Sequence, residues 1–174
     1  MKIIFEKSKE KRGVAKQLIE DSGLGSVLKE FQDYQFLGSY ELDLMLDAND
    51  IDLKILSDNP KQDSKKFFDI LWEKSFFQKM EYGDFVNFSR ENRPNGFIVN
   101  LRKEVLGEKW EIEVWFVDKN DFEKSKKELE KIREKLDEKN KEKILIEKEK
   151  RFLNREDKFQ KSSFEIYKNI LGLG

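Results

Sequence analysis

Asp50 and Asp52 are separated by one aliphatic residue in the run Asp50-Ile51-Asp52-Leu53-Lys54-Ile55-Leu56. Alternation of polar and aliphatic side chains is the period of a half-buried strand, so Asp50, Asp52 and Lys54 share one face while Ile51, Leu53 and Ile55 anchor the other. Two carboxylates held this way repel one another unless a cation lies between them. The chain has no His and no Cys, which excludes histidine bases, thiolate nucleophiles, disulfides and the usual zinc sites. Carboxylates are the only strong metal ligands left, and they select a hard ion such as Mg2+ or Mn2+.

The acidic pair has a companion upstream. Phe36-Leu37-Gly38-Ser39 is followed by ten residues and then by Asp50-Ile51-Asp52-Leu53. A hydrophobic run, Gly-Ser, a short spacer and acid-hydrophobic-acid-hydrophobic resembles the motif of the nucleotidyltransferase superfamily, which includes DNA polymerase beta, the CCA-adding enzymes and antibiotic nucleotidyltransferases. The resemblance covers about Tyr34 to Asp118. It implies that Asp50 and Asp52 hold divalent metal against a nucleoside triphosphate, ATP being the assumed donor. Gly38 would let backbone approach a phosphate and Ser39 would donate a hydroxyl. Lys54, on the face of Asp50 and Asp52, reads either as a phosphate contact or as a solvated lysine.

In that superfamily a third carboxylate comes from a later strand. Trp110-Glu111-Ile112-Glu113-Val114-Trp115-Phe116-Val117 alternates like a strand and offers Glu111 and Glu113 on one face. Glu113, deeper in the apolar run, is the chosen acid, to complete the metal site or to act as base. The superfamily more often has Asp here, so Glu113 is a departure that would move the metal or weaken the site. Arg90, Arg93 and Arg102 are lesser candidates for phosphate contact. Phe67, Phe68, Leu71 and Trp72 follow helical spacing and read as core, not as a base-stacking platform.

These residues need a frame, and the pattern supplies one. Helical spacing is expected from Lys7 to about Ser22 and again from Ser26 to Gln32, then strands at Tyr34–Leu37 and Asp50–Leu56. A helix around Phe67–Trp72 follows, then strand-like runs at 81–88, 96–102 and 109–117 with short links that favour antiparallel pairing. The expectation is an α+β chain: a small mixed sheet with helices packed on one face and helical N- and C-terminal extensions. Its parts are N-terminal helices (1–33), a nucleotidyltransferase-like core (34–118) and a charged C-terminal helical extension packing on that core (119–174).

In the extension, Phe122, Leu129, Ile132 and Leu136 form a stripe that Lys139 and Lys143 interrupt, which argues for packing on the body over a coiled coil. The 15 Phe and 3 Trp exclude a disordered chain despite 41% charged residues. Net charge is -1, with 18 basic against 23 acidic residues before 119 and 17 against 13 from there on. That balance disfavours general nucleic-acid binding and points to a small-molecule or protein acceptor. The apolar start Met1–Phe5 is too short for a leader or membrane segment, so no membrane and a cytoplasmic location are expected. The functional expectation is transfer of a nucleoside monophosphate to a hydroxyl with release of pyrophosphate. A catalytically inactive binding or regulatory module on the same fold is the alternative, and a partner-binding tail is a further rival.

Overall fold

The alternation of Trp110 to Val117 divides the molecule. Trp110, Ile112, Val114 and Phe116 enter the main core, whereas Trp115 and Val117 join a smaller cluster on the opposite face. The computed structural model describes residues 2–46, 48–91, 93–153 and 162–173. Asn92, beside Arg93, and residues 154–161 of the C-terminal extension lie outside the described residues.

Five strands form one mixed sheet in the order β1-β2-β5-β4-β3. They are β1 (Asp33–Leu37), β2 (Asp50–Leu56), β3 (Lys79–Asp84), β4 (Gly96–Val105) and β5 (Glu108–Val117). Strands β2 and β5 pair in parallel; β1 with β2, β3 with β4 and β4 with β5 are antiparallel. The β4–β5 hairpin turns at Leu106 and Gly107, both at positive φ, as a tight two-residue turn requires. Strand β3 stops earlier than its apolar run implies. The Asp84 carboxylate accepts from the backbone N–H of Val86 and Asn87, turning the chain out of the ladder.

Helices α1 (Lys2–Asp21), α2 (Leu24–Leu28) and α4 (Pro60–Glu73) cover the main-core face. Ala15, Leu18, Leu24, Leu28, Phe67 and Leu71 meet Ile51, Leu53, Ile55 and Val114 there. Helix α1 begins at Lys2 because Ile4 has a buried place of its own, so the apolar start extends the helix. The α+β class, the small mixed sheet and the terminal helices are those implied by the sequence.

Gly38 to Glu41 forms a one-turn helix, α3, between β1 and β2. Beyond β5 come α5 (Lys119–Lys135), α6 (Glu138–Leu153) and α7 (Ser163–Leu171). The Asp118 carboxylate caps α5 through Asp121 N–H, and Ser162 with Glu165 closes a capping box on α7. Phe122 of α5 packs on Ile98, Trp115 and Val117, over the face that carries Asp50 and Asp52. Leu129 and Ile132 of α5, Ile144 and Leu145 of α6, and Ile166, Tyr167 and Leu171 of α7 form a second cluster with Leu42 and Leu44. The polar face of β2 is therefore roofed by the C-terminal helices. No helix among the described residues is long and apolar enough to cross a membrane.

Candidate active site

Asp52 sits between two neighbours in the sheet, Leu37 of β1 on one side and Glu113 of β5 on the other. Adjacent strands run about 4.8 Å apart, so register alone brings the Asp52 and Glu113 side chains together on one face. Asp50 pairs across the same ladder with Glu111. The two glutamates have different surroundings. Glu111 accepts from Arg102, whose guanidinium also bridges Glu81, whereas Glu113 lines a cavity of about 470 Å³ with Asp50, Asp52, Lys54, Gly38 and Ser39. All six residues marked in the sequence thus open on one space.

Gly38 forms the near wall. Its φ is +60°, and a Cβ there would stand 2.6 Å from Asp52 Oδ2. Backbone and carboxylate are in contact with no room for a side chain between them. Burial, then the charges of Asp50 and Glu113, push the Asp52 carboxyl from its ordinary 3.8 up to about 7, while Lys148 and Arg93 pull the other way. No hydrogen bond to Asp52 is formed among the described residues. That electrostatic deficit is what a divalent cation would cure, and the oxygen-only donor set suits magnesium or manganese. Yet no group of three or more acidic residues converges tightly enough to make a ready metal cage among the described residues. Part of the reason is visible: Glu113 Oε2 is engaged by Arg93 Nη1 at 3.3 Å and by Trp115 Nε1 at 3.5 Å.

Ser39 is also engaged. Its Oγ accepts from Lys148 Nζ at 2.6 Å and shares a hydrogen bond with the Tyr167 hydroxyl at 3.0 Å. Lys148, fully buried on α6, donates in addition to the Leu44 carbonyl and lies 5.8 Å from the Tyr167 ring. Neither Lys148 nor Tyr167 was singled out by sequence reading. A signal for the lysine existed: it falls four residues after Ile144 and three after Leu145, on the stripe that buries α6. Lys54 donates to Ser125 of α5, and burial lowers its pKa. Ser125 and Glu128 of α5 and Phe164 and Tyr167 of α7 also line the cavity.

A chain whose sheet carries an acid-x-acid strand beside a Gly-Ser turn can be compared with solved structures on its backbone. It superposes on the polymerase core of TRAMP, an RNA surveillance complex, with a TM-score of 0.58 at 23% identity. The chain shares the fold of that polymerase core. That match covers 89% of this chain and 47% of the other, so the chain spans under half the length of the structure it resembles. A cytoplasmic RNA terminal U-transferase also aligns, with a TM-score of 0.48 at 20% identity, over 81% of this chain and 39% of that one. No family model matches the sequence, and no curated protein matches it.

Proposed function

We propose that this chain is a metal-dependent nucleotidyltransferase that moves a nucleoside monophosphate from a triphosphate, with ATP as the first donor to test, to an acceptor hydroxyl. The observation that carries the reading is one cavity joining three things: the Asp50/Asp52/Glu113 acids, the Gly38 backbone pressed against Asp52, and Ser39, behind which Lys148 is buried in hydrogen-bond contact. Asp50 and Asp52 would hold the metal with Glu113 completing the set, and a bound divalent cation would supply neutralisation of phosphate charge. The residues of the chain do the rest. Ser39, Lys148 and Tyr167 form the pole that takes the triphosphate tail, the lysine exchanging its hydroxyl partner for phosphate oxygens. Lys54 joins them by releasing Ser125. In the transfer step the acceptor oxygen bonds to the α-phosphorus, the bond to the bridging oxygen breaks, and pyrophosphate leaves. Glu113 takes the hydroxyl proton.

The charge balance favours a small molecule or a protein side chain as acceptor. A second reading has its own support, because Glu113 and Ser39 are both occupied by side chains of the protein itself. On that reading the fold binds a nucleotide without transferring it. Incubation with α-phosphate-labelled ATP, manganese and cell extract separates the two. Label transfer by wild type that disappears in Asp50→Asn/Asp52→Asn supports the transferase. Manganese-dependent stabilisation by ATP without any transfer supports the binding module, and no ATP effect on melting removes both.

A further inference from the structure

Asp52 feels the charge of two cations, Lys148 and Arg93, and the donor arrangement proposed above uses only the first. Lys148 sits with Ser39 at the β1 side of Asp52, while Arg93 sits at the β5 side, against Glu113. In-line displacement places the leaving and attacking oxygens on opposite sides of the phosphorus. If pyrophosphate leaves toward Ser39 and Lys148, the acceptor approaches over Glu113 and Arg93.

Arg93 is held there by its surroundings. Two residues on, Asn95 N–H donates to Asp121 Oδ2 in the first turn of α5, and Gly96 fits so tightly on β5 that a Cβ would stand 2.3 Å from the Phe116 carbonyl oxygen. The guanidinium lies 6.0 Å from the Trp115 ring and makes one hydrogen bond among the described residues, to Glu113. Its side chain is 48% exposed and lines the cavity. A guanidinium carries five N–H donors in a planar fork, so most remain available to a second oxyanion. As a purely structural ion pair, the half-exposed contact with Glu113 contributes little.

We infer that Arg93 is an acceptor-binding residue and that the acceptor carries a phosphate or carboxylate within a few bonds of the hydroxyl that is modified. This rests on the donor arrangement proposed above. The hydroxyl meets Glu113 and the oxyanion meets Arg93, groups 3.3 Å apart, so both must lie on neighbouring carbons of one small unit. A neutral alcohol would leave the guanidinium's remaining N–H donors, those not used by Glu113, without an acceptor.

The test uses the full chain with manganese and α,β-methylene-ATP, a donor that does not react. Binding of glycerol 3-phosphate, glycerate and glycerol is measured by calorimetry in wild type, Arg93→Gln and Arg93→Lys. At least one of the two anions should bind at least tenfold more tightly than glycerol. Arg93→Gln should remove that preference while the nucleotide analogue still binds with manganese, and Arg93→Lys should restore part of it. Which anion binds better assigns phosphate or carboxylate. Anions that bind no better than glycerol, or equally well to Arg93→Gln, overturn the acceptor assignment while the donor reading stands. Failure of the nucleotide analogue itself to bind overturns both.

Discussion

A Cβ at residue 38 would stand 2.6 Å from Asp52 Oδ2, so Gly38 and Asp52 define one surface between them. The contact involves the end of a side chain, which can turn aside, and a left-handed backbone, which cannot. Gly38→Ala should therefore cost about 1–2 kcal/mol from the backbone, or a few degrees of melting temperature for a chain of this size. Manganese affinity should fall further, because the displaced carboxylate no longer faces Asp50. Calorimetry and thermal melts decide this: a variant that melts lower but binds manganese like wild type would place the metal elsewhere.

The Asp52 carboxyl, raised to about 7 in the fold, gives a pH signature. An acid whose folded pKa exceeds its unfolded value favours folding while protonated, and the penalty grows as pH rises from the unfolded value through the folded one. In chelator, Asp52→Asn should match wild type near pH 4 and be the more stable protein at pH 8, by at most about 4 kcal/mol. Manganese at pH 8 should narrow the gap by stabilising wild type alone. Parallel denaturation profiles of the two proteins across that range would remove the electrostatic argument.

Lys148 should prove structural and functional at once. Lys148→Met keeps the apolar stem but removes the donor to the Leu44 carbonyl and leaves the Ser39 hydroxyl with Tyr167 alone, a loss of about 1–3 kcal/mol. Ser39→Ala is milder, since Lys148 keeps Leu44, and Tyr167→Phe milder still. Affinity for ATP with manganese should fall in the same order. If Lys148→Met binds ATP as wild type does, the Ser39 pole does not receive the phosphates.

The sheet was legible because its strands advertise themselves. Asp50–Leu56 and Trp110–Val117 alternate cleanly, and that alternation already put Asp50, Asp52 and Glu113 on polar faces. What alternation does not contain is partnership. That β2 and β5 are parallel neighbours, setting Asp52 beside Glu113, depends on topology across 61 residues of chain. The roof was harder to read. Residues of α5 to α7 look like a charged tail because their apolar positions are sparse, and Lys148 on the buried stripe reads as an interruption until Ser39 and Leu44 are seen to accept from it. Arg93 was visible only as a loop cation, because its meaning comes from Glu113 and Trp115, on a strand it does not belong to.

Glu113 and Glu111 provide the comparison that separates chemistry from architecture. They occupy the same strand face two residues apart, so an amide at either position preserves size and β-sheet packing. Glu111 is committed to Arg102, whose charge it stabilises, and it does not line the cavity. Glu111→Gln should weaken that bridge, cost less than about 1 kcal/mol because both partners are partly exposed, and leave nucleotide transfer intact. Glu113→Gln should lose little stability for the same reason, yet it removes the group placed to accept the hydroxyl proton. Donor binding should survive and transfer should fall by at least about a hundredfold, the lower range for a lost acid–base group. The measurement is label transfer from α-labelled ATP alongside ATP-dependent melting for both variants. Transfer that persists in Glu113→Gln but vanishes in Glu111→Gln would move the chemistry two residues toward the strand start, to the acid now bridged by Arg102.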